Sequence, residues 1–447
     1  MANRHMHLGA FLMTPGHHVA AWRHEDSAND AKEWLSADYY VRLAQLAEKG
    51  LFDMVFFADH YADRTKREED VSHSVTARLD PILLLSAMTH GTLRIGLCAT
   101  ASTSFYEPYY LARAFGTIDH LSHGRAAWNV VTSGNAYEAL NFSRDAHYDH
   151  ALRYERATES LKVAKKLWAS WEEDAIVLDK KAGRFTDSSK VRTIDHEGHF
   201  FSVPGPLNIP RPVQGHPVIV QAGSSEPGKE LAASSAEVIF TAWKTRKDAE
   251  VFYRDVKQRL VKYGRDANDL KVMPGVMPII GKTEKEAKEK AAHFRSLIPE
   301  EAGLRLLSGL LNFDLTGYPL DGPLPDLPPV ETNNGAKTRF ELVTKLAKVE
   351  NLTIRQLYQH IAGARGHREI YGTPEQIADQ LQDWFENGAA DGFNIMAPLL
   401  PDGLEEFITE VIPILQERGL FRTNYEGRTL RDHLGLKKPN AAEVLQR

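Results

Sequence analysis

PVIVQAGSSEPGKELAASSAEVIFTA, residues 217–242, reads as strand, turn, helix and strand in succession. The run from Pro217 to Gly223 is short and nearly all apolar, as a strand buried on both faces should be. Gly223 permits a tight turn, two serines follow, a helix begins near Pro227 and Gly228, and Glu237 to Ala242 forms the next apolar run. The alternation recurs along the chain. Eight such runs, His7 to Met13, Met54 to Asp59, Arg94 to Ser102, Arg125 to Ser133, Pro217 to Gly223, Glu237 to Ala242, Lys271 to Ile280 and Gly392 to Pro398, are visible. Between them lie helix-period stretches such as Tyr39 to Lys49, Leu79 to His90 and Lys247 to Tyr263. Eight alternations predict an α/β fold, a (β/α)8 TIM barrel rather than an open doubly wound sheet, with the working face at the C-terminal ends of the strands.

At 447 residues the chain exceeds the ~250 of a plain barrel, so roughly a third of it lies outside the repeating units. We expect one barrel domain over 1–447 with insertions at about 172–215 and 299–368 and a C-terminal extension from about 421. In the first insertion DHEGHFFSV suggests a β-hairpin and GPLNIPRPVQG a Pro-rich return. In the second, DLTGYPLDGPLPDLPPVETNNGAKTR is too rich in Pro and Gly for regular structure, and a loop of that length is a lid or a surface excursion. The polar tail after Phe421 is expected to wrap a neighbour or the barrel's outside. A net charge of −6 offers no basic field for nucleic acid or anionic lipid. With no signal peptide and no apolar run of spanning length, a cytoplasmic protein with no membrane partner is expected.

Polar residues gather where the strands end. Ser224 and Ser225 place hydroxyls and amides beside the positive end of a helix dipole, which is what gripping a phosphate requires; capping the helix is the alternative. In FFADHYADR (56–64), Asp59 ends the second strand with His60 and Tyr61 next; the carboxylate can hydrogen-bond a ligand N–H or hydroxyl, or serve the turn. Ser102, Thr103 and Ser104 leave the third strand and Asn129 and Thr132 end the fourth, to contact a ligand or satisfy the turns. His150 and Tyr154 are four apart on one helix face and can reach a single ligand. Phe11, Phe56, Phe57, Trp128 and Trp243 are candidate walls.

Metal chemistry is not expected despite 19 histidines. His5 and His7 alternate like ligands but begin the first strand, on the stability face; His17 and His18 are adjacent, and neighbours rarely bind one ion together. There is no zinc-spaced cluster and no HExxH. GxSxG, the dinucleotide fingerprint and the P-loop are missing, and Cys98 lies mid-strand as a small buried hydrophobe.

The ordered segments FFADH, ATASTSFYEPYYLAR, IDHLSHGRAAWNVVTS, the DH…RY helix start, PVIVQAGSS, GTPEQIADQLQDWF…DGFNIM and LFRTNYEGRTLRDHLGL resemble the bacterial luciferase-like flavin monooxygenases. Within them they resemble the group of nitrilotriacetate monooxygenase component A, dibenzothiophene-sulfone monooxygenase and long-chain alkane monooxygenase. The resemblance implies a two-component FMN-dependent monooxygenase whose oxygenase component takes reduced FMN from a separate NAD(P)H:FMN reductase. With O2, it oxygenates a small organic substrate through a C4a-(hydro)peroxyflavin. By the same resemblance Asp59 and Thr103 meet the flavin ring and ribityl chain, Asn129 lines its inner side, His150 and Tyr154 hold the phosphate or ribityl chain, and Ser224 with Ser225 forms the phosphate loop. No catalytic residue is assigned; His17, His18, His60 and Tyr61 are the proton-relay candidates. Thr14 stands where the alkane-oxidising relative has a cysteine, which argues against a long alkane. A homodimer or homotetramer is expected. A deazaflavin-dependent oxidoreductase and a non-catalytic flavin-binding protein are the alternatives.

Overall fold

The computed structural model describes residues 4–62, 72, 73, 75–330 and 337–446; Asp63 and Arg64, which close the FFADHYADR run, lie outside them. Among the described residues nine parallel strands form one sheet, and eight of them close into a barrel: β1 (His7–Phe11), β2 (Met54–Phe57), β3 (Gly96–Ser102), β4 (Ala126–Val131), then, beyond two small hairpins, Val218–Ala222, Val238–Thr241, Lys271–Ile280 and Gly392–Ile395. The hairpins are β5 (Ile176–Asp179) with β6 (Arg184–Thr186) and β7 (His196–Glu197) with β8 (Ser202–Val203). The later barrel strands are therefore β9, β10, β11 and β13. The ninth strand, β12 (Arg368–Gly372), pairs with the upper half of β11. The pairings of β10 with β11 and of β13 with β1 complete the ring. The fold is the expected (β/α)8 barrel, and all eight strands fall within the apolar runs read from the sequence.

Side chains alternate along each strand, so adjacent residues face opposite layers. Phe11, Met54, Phe56, Cys98, Val220 and Phe240 pack inside the barrel, while Phe57, Leu97, Trp128 and Ile219 face the helices. Phe57 and Trp128 therefore do not wall the site. Trp128 lies on Phe115 with ring centres 5.6 Å apart and donates its indole N–H to the Ala101 carbonyl at 3.0 Å. Trp243, at the end of β10, packs on Phe252 of helix Arg246–Leu260.

The second insertion is largely helical. Glu300–Leu311, Lys337–Glu350 and Ile354–Ala362 surround their own core, with Leu307, Leu311, Leu357 and Tyr358 buried. The Pro-rich stretch 312–330 forms the irregular link between the first two helices.

The tail first plugs the bottom of the barrel, and its last helix, Ala441–Gln446, then packs against the outer helix His150–Ala169, so the expected wrapping of the outside holds for its end. Leu430 and Leu434 join the interior cluster, and Gly96 makes room, since a Cβ there would lie 2.5 Å from Leu430 Cδ1. Arg422 pairs with Asp53 at the start of β2, and Arg431 with Glu237 at the start of β10, both pairs buried. Burial alone would raise these carboxyl pKa values. The Arg422 guanidinium with His7 overrides it for Asp53, and Arg431 with His216 for Glu237, holding each at about 2.

The folded pKa values lie below the unfolded ones near 4. The pairs therefore stabilise the fold above pH ~4, and that contribution is lost as the pH falls from ~4 towards ~2. Arg431→Met leaves Glu237 buried without its partner and should cost about 3–5 kcal/mol in urea unfolding at neutral pH, with acid unfolding moved to higher pH. An unchanged midpoint would mean that the tail does not hold the barrel.

Candidate active site

Most of the candidate ligand contacts lie at or near the opposite end of the strands, where backbone groups are not all committed to ladders. At the end of β2, Asp59 is largely buried, and burial raises its pKa from 3.8 to about 6 against the smaller opposing effect of His60. A cavity of about 550 Å³ opens there, lined by Asp59, His60, Tyr61, Arg78 and Tyr106 among others. Arg78 donates to His60 Nδ1 at 2.8 Å, which makes Nδ1 the acceptor and leaves the ring proton on Nε2. Tyr61 is pinned on three sides. Its amide donates to Glu138 at 3.2 Å, its hydroxyl accepts from the Ser102 amide at 3.3 Å, and its ring meets Phe105, Tyr106 and Phe142 edge-on. Burial raises the phenol's pKa, so it stays protonated.

The β3 and β4 rims are stitched together by hydroxyls. Thr103 Oγ1 donates to the Val131 carbonyl at 3.1 Å, Ser104 Oγ to the Thr132 carbonyl at 2.7 Å, and Ser133 Oγ to Ser102 Oγ at 2.8 Å. Asn129 is different. Its side-chain amide donates to Thr100 Oγ1 at 2.8 Å, and that hydroxyl donates to the Phe57 carbonyl at 2.7 Å. The relay fixes the orientation and turns Oδ1 into the barrel, where among the described residues it has no hydrogen-bond partner. A buried acceptor in that state is suited to a ligand donor.

Across the rim, helix His150–Ala169 brings His150 and Tyr154 together, with ring centres 5.0 Å apart. Tyr154 stands over the turn after β9: a Cβ at Gly223 or Gly228 would lie 3.1 or 3.2 Å from its hydroxyl. Ser225 caps helix Glu226–Ser235 by accepting from the Gly228 amide at 3.3 Å. Capping and anion binding are compatible, because the Ser225 hydroxyl, the Gly228 amide and the Tyr154 phenol lie around one turn, with Ser224 the preceding residue. Gln221, buried at the end of β9, carries a further acceptor, Oε1, without a partner among the described residues.

Two rim residues escaped sequence reasoning. His367 arrives from the second insertion and stacks on Phe240 at 4.9 Å, above the floor of Phe11, Phe56 and Phe240. Lys244 donates to the His367 carbonyl at 2.7 Å, and burial lowers its pKa to about 8. His17 lies on the same floor. It donates Nε2–H to the Ala364 carbonyl at 3.2 Å and meets Phe11 and His367 edge-on at 5.4 and 5.9 Å. His18 points away. It packs on Phe294, its Nδ1 accepts from the Ala20 amide at 3.2 Å, and burial followed by the charges of Arg365 and Arg295 pushes its pKa down to about 3, so it stays neutral. The structure thus brings Asp59, His60 and Tyr61 together in one cavity and sets Tyr154, with His150 against it, over the turn that carries Ser224 and Ser225. Asn129 lies inside the barrel and Thr103 in the rim stitching.

The family model for luciferase-like monooxygenases matches residues 10–391. The chain belongs to this family. It is 51% identical over 434 residues to N-acetyl-S-(2-succino)cysteine monooxygenase of Bacillus subtilis (strain 168), covering 97% of each chain. It is 49% identical over 448 residues to nitrilotriacetate monooxygenase component A of Aminobacter aminovorans, covering 98% of each. Riboflavin lyase, solved with modified FMN and its substrate riboflavin, superposes with a TM-score of 0.86 at 30% identity over 98% of this chain and 99% of that one. The family member described here is a flavin-dependent monooxygenase. Among its described residues no helix is long and apolar enough to cross a membrane.

The folded pKa of Asp59 lies above its unfolded value, so ionisation opposes folding and stability falls as the pH rises from about 4 to about 6. Asp59→Asn should remove that fall and stabilise the protein by about 1–3 kcal/mol at pH 7. Urea midpoints of the two proteins that stay parallel between pH 4.5 and pH 7 would sink this reading of the site.

Proposed function

We propose that the chain is the oxygenase component of a two-component system, receiving reduced FMN from a separate NAD(P)H-dependent flavin reductase and using it with O2 to oxygenate a small anionic substrate at or beside nitrogen or sulfur. The observation that supports this is the Tyr154 hydroxyl over the Gly223–Gly228 turn together with the unpartnered Asn129 acceptor inside the barrel. The first suits a phosphate and the second a ring N–H. Ser224, Ser225, His150 and Tyr154 would hold the phosphate end, Asp59 and Thr103 the ring and ribityl chain, and Asn129 the inner edge. Reduced FMN supplies two electrons to O2, so that one oxygen atom enters the substrate and the other leaves as water.

The chain's own residues do the rest. Phe11, Phe56 and Phe240 form a dry floor that keeps bulk water from the reacting face. His60 carries its proton on Nε2 because Arg78 occupies Nδ1, and His17 is held by its bond to Ala364; each is placed to hold or pass a proton. Tyr61 remains a neutral phenol. The segment from Gly363 to His367 brings His367 onto Phe240 and would serve as the inner edge of a lid carried by helices Glu300–Leu311 and Ile354–Ala362. The two relatives above are named for substrates that bear several carboxylates around a sulfur or a nitrogen, and Arg78 offers a guanidinium at the cavity. Thr14, whose hydroxyl donates to the Tyr40 hydroxyl at 3.2 Å, makes a polar neighbourhood unlike one built for a long alkane.

The purified chain, supplied with FMN, NADH, a flavin reductase and 18O2, should place one labelled atom in the product of N-acetyl-S-(2-succino)cysteine or nitrilotriacetate. Arg78→Met should lower kcat/KM for that substrate roughly 10–100-fold, the size expected for a lost hydrogen bond to a charged group. Label in neither product, with FMN binding intact, would remove the substrate class; label that appears without FMN would remove the cofactor.

A further inference from the structure

We infer that His24, Glu25 and His293, with Asp26 beside them, form a binding site for one divalent transition-metal ion of the zinc type, built from residues other than those proposed to hold flavin and substrate. Among the described residues His24, Glu25 and His293 are a group whose ligating atoms all lie within 4.8 Å of one another. They come from two elements 268 residues apart: the loop after the short turn Ala21–Arg23, and the last turn of helix Glu284–Ser296.

The distances suit a small tetrahedral ion. His293 Nε2 lies 3.0 Å from Glu25 Oε2, and His24 Nδ1 lies 3.9 Å from the same oxygen and 3.6 Å from Asp26 Oδ2. With zinc bonds of about 2.0–2.1 Å, tetrahedral ligands are separated by about 3.3 Å. The ligating atoms of His24, Glu25 and His293 lie within 4.8 Å of one another, so side-chain rotation would close three protein ligands to that spacing, with Asp26 or a water as the fourth.

The scaffold is already ordered. The His24 ring stacks on Phe294 at 4.9 Å and meets the His293 ring edge-on at 5.4 Å. The loop is tied down by Arg23, which donates to the Leu297 carbonyl at 2.5 Å, and by the Ser27 amide, which donates to the His24 carbonyl at 2.9 Å. In this form the Asp26 amide donates to His24 Nδ1 at 3.2 Å, and His293 donates to Glu25. Metal binding would replace both contacts, with the His293 ring proton carried on Nδ1 once Nε2 ligates the ion and with no change of redox state.

The surroundings favour a cation. The residues border a cavity of about 870 Å³ whose lining includes Glu286, Glu289, Asp402, Glu405 and Glu406. Its lysine, Lys290, is already bonded to Glu406 at 2.9 Å. Two imidazoles among the donors select zinc, cobalt or nickel over magnesium or calcium, which prefer all-oxygen cages. A bound ion would staple the loop that carries His17 to the rim onto the helix that follows β11.

The test is calorimetric titration of chelator-stripped protein with Zn2+, paired with a thermal melt. One saturable site per chain and a rise in Tm are expected. His24→Ala/His293→Ala should weaken binding by at least the roughly 10–100-fold that loss of even an outer-shell partner costs, while its metal-free melt matches that of the wild type. Should the double variant not fold, Co2+ added to the wild type decides, because the intense visible bands of a tetrahedral site are expected. No saturable site, Zn2+ binding undiminished in the double variant, or only the weak bands of octahedral Co2+ would each overturn the proposal.

Discussion

The buried pairing of Arg431 with Glu237 and of Arg422 with Asp53 decides which end of the barrel can hold a ligand. A closed ring of parallel strands exposes amide groups at one end and carbonyls at the other, and both ends are open before the rest of the chain is added. Here the tail enters the amide end with two arginines and two leucines. Asp53 also accepts from the Leu8 amide at 2.7 Å, and Glu237 from the Ile219 amide at 2.9 Å. Strand starts, tail and core therefore become one unit. What remains accessible is the carbonyl end, and the function collects there.

That rim is economical in what it leaves unpaired. Most hydroxyls at the ends of β3 and β4 are spent on neighbouring carbonyls or on each other, while Asn129 Oδ1 and Gln221 Oε1 are among the acceptors without partners in the described residues. Ser133 and Arg365, both at the rim, hold left-handed backbone conformations at φ 48°. For residues with a Cβ such conformations cost about 1–3 kcal/mol each and persist where surrounding contacts enforce them, commonly at functional sites. Arg365 is one such case, with its guanidinium donating to the His17 carbonyl at 3.0 Å.

The barrel was legible because strands buried on both faces write continuous apolar runs, and because Gly223, Ser224 and Ser225 mark a strand, turn and helix start in consecutive letters. Facing was less legible. Phe56 and Phe57 look alike in sequence, and only the register of β2 against its neighbours sends one inward and the other out. The tail's role was hidden because its arginines find partners hundreds of residues away. His367 was missed for the same reason, since a residue that reaches the rim from an insertion carries no local signal of where it will land, whereas Lys244 stands just beyond β10 and its strand-end position was the signal that could have found it. The ninth strand lay at the end of what read as an irregular insertion, and its pairing depends on β11 being longer than the other barrel strands.

The central claim is that the turn between β9 and its helix, under Tyr154, is the phosphate seat of a flavin site. The most direct measurement is anaerobic fluorescence titration of the protein with reduced FMN and reduced riboflavin, repeated for Ser224→Ala/Ser225→Ala. The wild type is expected to bind FMN more tightly by tenfold or more, a gap of at least ~1.4 kcal/mol, and the double variant to bind the two flavins alike. Equal affinities in the wild type, or an FMN preference that survives the double substitution, would contradict it.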